Sequence, residues 1–169
     1  MYKKYQLLLG CMLLGINSYC TATTGPQLNK TLDFQVLSQA NINASWVPEQ
    51  GLSPSKVMED NVIIGTLSFS NTSIQTISIE SKDAQDNTKN GVVSFINTAS
   101  TDKRFGTNIS SDNSSVIIEK NLGKTLIRST NDGELLPNNL DVKFKTVAGN
   151  TNVVSGNYQA SISITTTIK

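Results

Sequence analysis

Histidine is absent from all 169 residues, which removes the commonest general base and the commonest metal ligand. Cysteine is nearly as scarce, with only Cys11 and Cys20, both close to the N-terminus. Charged residues make up 16%, and the formal net charge is +1. There is no polybasic block and no interleaving of Arg with aromatics, so nothing addresses nucleic acid or an anionic membrane surface. No glycine-rich phosphate loop is present; Gly149 and Gly156 fall at strand ends. Three carboxylate pairs, Asp83/Asp86, Glu59/Asp60 and Asp132/Glu134, lie in polar, turn-like segments and read as solvated loop acids. The Asp83–Gln85–Asp86 spacing lacks the glycine and closing Glu of a calcium loop. The sequence points away from an enzyme and calls for no cofactor and no metal.

What is present begins with "MYKKYQLLLGCMLLGINSYCTA". Lys3 and Lys4 precede a short apolar run from Leu7 to Ile16, and Cys20-Thr21-Ala22 supplies small residues at a peptidase site. Residues 1–22 are therefore expected to be a secretory signal, cut between Ala22 and Thr23. The apolar run falls short of the roughly 20 residues a membrane span needs. A lipoprotein reading fits poorly, because Cys11 sits inside the apolar run instead of after it. Cleavage would carry off both cysteines, leaving no disulfide and no thiolate metal site. It would also leave 12 basic against 13 acidic residues, a charge of −1.

Beyond the signal, nearly every patterned stretch alternates with period two, the signature of half-buried strands. Ile63, Leu67 and Phe69 share one face, with Gly65 marking a bend or bulge. Ile77 and Ile79 alternate in "IQTISIES". Asn90-Gly91 signals a tight hairpin turn ahead of "VVSFIN". "SSVIIEKN" and "KTLIRST" flank Asn121–Gly123 as a strand pair. A turn at Asp132-Gly133 leads to Leu140, Val142 and Phe144. Lys82–Lys89 and Ser110–Ser115 read as solvated loops, and no segment sustains a helical period. Strands roughly a dozen residues apart predict one β-sandwich domain over residues 38–169. Asn-x-Ser/Thr triplets start at Asn29, Asn43, Asn71, Asn108 and Asn113, as expected from the Ser, Thr and Asn content. Trp46, the lone tryptophan, reads as a core or rim residue.

The two ends of the pattern stand out. In residues 23–37 an alternating strand places Leu28, Leu32, Phe34 and Val36 on one face, with Lys30 interrupting. The last strand places Tyr158, Ala160, Ile162, Ile164 and Ile168 on one face, and the sequence offers no further strand to pair with it. A sandwich lacking its final strand exposes core and unpaired backbone groups along a groove, and such an edge invites strand addition from another chain. Because donor and groove lie apart on one molecule, repeated addition runs head to tail into a filament.

"GPQLNKTL" and "LSQANINASWVP" near the start, "LSFSNTSIQTISIES" and "TKNGVVSF" in the middle, and "VSGNYQASISITTTIK" at the end together resemble the chaperone–usher fimbrial subunits, the pilins. The resemblance spans 23–169. It implies an incomplete immunoglobulin-like fold, all-β, lacking its last strand and preceded by an N-terminal donor strand. It also implies export through the periplasm, capture by a periplasmic chaperone, and handover by an outer-membrane usher to identical subunits in a surface fimbria. Such fibres adhere to host cells, but no receptor residues are legible. Carried residue by residue, the donor face is Leu28, Leu32, Phe34 and Val36. The acceptor edge is Tyr158, Ala160, Ile162, Ile164 and Ile168. Gly156-Asn157-Tyr158 matches the Gly-x-Tyr that opens the last strand of many pilins, while Lys30 departs from an all-apolar donor face. Beside this stands a second reading from pattern alone: a self-contained secreted or periplasmic sandwich that binds a ligand as a monomer, with 28–36 pairing within its own chain.

Overall fold

The computed structural model describes residues 27–37, 42–70 and 73–168. The expected signal, its Ala22/Thr23 junction, both cysteines and the triplet at Asn71 lie outside them. Ten strands follow in order: β1 (Leu28–Leu37), β2 (Asn43–Pro48), β3 (Ile63–Ser70), β4 (Thr76–Ser81), β5 (Val92–Asn97), β6 (Arg104–Ser110), β7 (Val116–Asn121), β8 (Lys124–Ser129), β9 (Asn139–Thr146) and β10 (Gly156–Thr167). The only helical pieces among the described residues are α1 (Pro54–Val57), capped by the Ser53 hydroxyl, and a 3-10 turn at Ala84–Asp86.

Strands β2 to β10 form one continuous antiparallel ladder in the order β2-β3-β9-β6-β5-β10-β4-β8-β7, and β1 joins from the side by pairing with β10. The run β2-β3-β9-β6 has the order of the first sheet of an immunoglobulin sandwich, and β1-β10-β4 that of the second, extended by β8 and β7. Strand β5 joins the layers, pairing with β6 through five residues and with β10 only at Tyr158 and Gln159. Between the layers lies a single core built from inward-facing residues of both. Phe95, Phe105, Phe144 and Trp46 meet there, with ring centroids 5.2–6.3 Å apart.

Alternation places most of the core as the sequence predicts: Ile77, Ile79, Leu140, Val142 and Phe144 are all buried, and β7–β8 is a hairpin about Asn121–Gly123. Gly65 does mark a bulge, because the β3–β9 register shifts between Ile63 and Gly65. The extra residue reverses the pleat. Ile64 is fully buried and Ile63 only partly, contrary to the expected Ile63–Leu67–Phe69 face. The Trp46 ring lies over this glycine, so a Cβ there would come within 2.3 Å of it.

Two further expectations fail because each segment finds its partners outside itself. Asn90-Gly91 closes no tight hairpin. Strands β4 and β5 lie on β10 instead of on each other, and Asn90 bridges to Leu122 while the Gly91 N–H donates to the Asn121 carbonyl. Nor is Lys82–Lys89 simply solvated, because Asp86 is completely buried. Its carboxylate accepts from the Ser81 hydroxyl (2.7 Å), the Ser94 hydroxyl (2.6 Å) and the Ser94 N–H (2.7 Å). Asp86 thus ties the β4–β5 connection to both strands. Truncation strands three buried donors, so Asp86→Ala should lower stability by about 2–4 kcal/mol in chemical denaturation. A loss under about 0.5 kcal/mol, the size of an ordinary surface change, would contradict this role.

Candidate functional site

The site is the groove along β10. On one edge β10 pairs first with β5 and then with β4, from Ile162↔Ser81 to Thr167↔Thr76. Along the other edge it pairs only with β1, in parallel, from Leu28↔Gly156 to Leu37↔Thr165. Every other ladder is antiparallel. The position that the last strand of a complete immunoglobulin sandwich would take beside β10 is filled from the other end of the chain.

Four of the five predicted acceptor residues line the groove floor: Tyr158, Ala160, Ile162 and Ile164 are each at most 2% exposed. Ile168 does not join them, lying one residue past β10 and 46% exposed. Tyr158 is fixed at both ends. Its ring packs 5.1 Å from Phe105, and its hydroxyl donates to the Val154 carbonyl (3.0 Å) and accepts from the Val154 N–H (3.1 Å). This closes the turn that feeds β10, the geometry of a tyrosine corner.

Opposite the floor, Leu28 and Leu32 are buried, while Phe34 and Val36 are half-buried and pack on the core. Insertion is thus deepest at the start of β1 and shallower toward its end. Polar contacts on the outer face match the same register: Asn29 donates to the Asn157 side-chain oxygen (2.9 Å), the Thr31 hydroxyl to the Tyr158 carbonyl (3.3 Å), and Gln159 to the Asp33 carboxylate. The Leu28 N–H donates to the Leu52 carbonyl (3.1 Å), holding the start of β1 against the segment that follows β2.

Lys30 is the exception on the inward face, and it is only 4% exposed. Its Nζ donates to the backbone carbonyl of Glu49 at 2.7 Å. Burial lowers its pKa from the ordinary 10.5, and the Glu49 carboxylate pulls partly the other way. No cluster of metal-ligating side chains exists among the described residues. The groove offers packing and an open backbone ladder: it binds a strand.

A fold of this kind is found in a pilus subunit. The structure resembles the crystal structure of the minor tip subunit HdaB of the Escherichia coli Hda pilus, with a TM-score of 0.54 over 76% of this chain and 84% of that one at 15% identity. No family model matches the chain. Its sequence is 44% identical to a fimbrial subunit of the CS3 type from Escherichia coli, with both chains covered end to end. The chain belongs to that fimbrial subunit family and is a structural subunit of a fimbria.

The lowered pKa of Lys30 has a pH signature. Below its folded-state pKa, Lys30 is charged whether folded or unfolded, and the cost of burying the ammonium is fully present. Between that pKa and 10.5 the unfolded chain binds more protons, so the folded state gains stability as pH rises. Relative to Lys30→Met, the parent should therefore gain stability through this alkaline window in parallel urea titrations. A difference that stays constant to beyond pH 10.5 would contradict the burial effect.

Proposed function

We propose that the chain polymerises by donor-strand complementation. In this reading β1 of one copy fills the groove of the next, after a periplasmic chaperone has held the groove and an outer-membrane usher has exchanged its strand. Residues 23–37 are the donor extension, residues 38–169 the pilin domain, and residues 1–22 the signal removed on export. Leu28, Leu32, Phe34 and Val36 form the donor face. Tyr158, Ala160, Ile162 and Ile164 form the acceptor edge, with Ile168 at its exposed end. The fibre stands on the cell surface and mediates adhesion to a host receptor.

One observation carries the reading: β2 to β10 make an unbroken ladder without β1. The strand can leave as a unit, breaking no other strand pair and exposing one continuous groove. The competing reading, a monomeric binding module, draws on the pairing of β1 with β10 of its own chain. The parallel direction of that pairing counts against it, since an immunoglobulin sandwich is closed by an antiparallel strand.

Single carboxylates separate the two readings. Leu32→Asp places a charge on the donor strand, where an unpaired buried carboxylate costs several kcal/mol. The variant subunit should still be recovered with its chaperone but should form no fibres. Ile164→Asp spoils the groove itself and should abolish chaperone capture as well. Normal fibres from Leu32→Asp, or a stable chaperone complex with Ile164→Asp, would remove the corresponding residue from its role.

A further inference from the structure

The inward face of β1 poses a register problem that its apolar residues cannot solve. Leu28, Leu32, Phe34 and Val36 are interchangeable to a first approximation, and opposite them stands an equally repetitive row of Tyr158, Ala160, Ile162 and Ile164. A one-residue slip would turn every side chain to the wrong face, so it is excluded. A two-residue slip keeps the apolar set inward and changes little. The polar contacts of the outer face bind weakly, being exposed or only part-buried.

Lys30 breaks this degeneracy. We propose that Lys30 is the residue that fixes where β1 seats in the groove, with the Glu49 carbonyl as its docking point. In the observed register Lys30 lies opposite Tyr158, and its ammonium emerges beside Glu49, just past the end of β2. A two-residue advance moves the ammonium by about 7 Å along β10. It would then lie opposite Ala160, where Leu32 now sits among buried apolar groups. A retreat by two residues places it opposite Gly156, where buried Leu28 now sits, and carries Leu28 past the end of the ladder. A single buried polar residue on an apolar seam fixes register in coiled coils at a cost in stability, and Lys30 does the same on a sheet. The assignment is made for β1 in the groove of its own chain, where the pairing is parallel, and does not depend on the donor-strand reading.

The absence of cysteine from residues 23–169 makes register directly measurable. Two versions of the 23–169 chain would be compared under a glutathione redox buffer. One carries Asn29→Cys with Asn157→Cys, the pair that faces in the observed register. The other carries Asn29→Cys with Gln159→Cys, the pair that faces after a two-residue slip. With Lys30 present, the first pair should cross-link about tenfold more than the second, as expected if the slipped state buries an unpaired cation. In a Lys30→Leu background that preference should fall several-fold while cooperative unfolding persists, and Lys30→Arg should restore it. An unchanged preference in Lys30→Leu overturns the proposal, as does loss of the preference in Lys30→Arg with the fold intact. Fibre formation by the parent chain, scored separately, tests the donor-strand reading. Failure there with the expected cross-link pattern would remove the polymer and leave the register assignment standing.

Discussion

The structure depends on the second edge of β10 being filled. This strand runs between the two halves of the ladder, changing neighbours from β5 to β4 at its middle, and its inward side chains form the floor of the core. An empty edge would leave a row of unpaired backbone groups and uncover Tyr158, Ala160, Ile162 and Ile164 together. Leu28 and Leu32 alone, fully buried, stabilise by about 1.5–3 kcal/mol each, before the backbone ladder is counted. A domain of this size has a net stability of only about 5–15 kcal/mol, so the filling strand accounts for a large share of it.

The other sheet edges do not carry the same demand. Strand β2 ends in Pro48, which cannot donate to a ladder, and β7 carries Glu119 and Lys120 at its outer end, with Glu119 held 2.7 Å from Arg128. Charges and proline are the usual protection against edge-to-edge association. The β10 edge has no such protection along Tyr158–Ile164. It is covered by a strand instead of being blunted, and covering differs from blunting in that the cover can be exchanged.

How much of this the sequence reveals follows the range of the physics involved. Period-two alternation is local, so the cores of β4 and β9, the β7–β8 hairpin and both faces of the groove are legible from residue spacing. The bulge at Gly65 is signalled by the glycine, but which isoleucine it buries depends on how β9 pairs across it. Asp86 reads as a loop acid because its three donors come from Ser81 and Ser94, which only the fold brings together. Asn90-Gly91 has the composition of a tight turn, yet its partners lie beyond it at Asn121 and Leu122. Ile168 fits the alternation but lies past the last paired residue, so periodicity alone overextends the acceptor row.

Lys30 shows the same limit from the other side. In the sequence it is a flaw in an apolar face; in the structure it has one partner, a backbone carbonyl, which sequence identity does not encode. A face made wholly of aliphatic residues would bury more area and bind more tightly in several registers at once. A cation with a single acceptor binds less tightly and in one. For a strand that must both fill a groove and seat at a defined position within it, the second property constrains the sequence as much as the first. That accounts for a charged residue on a face where burial alone would select leucine.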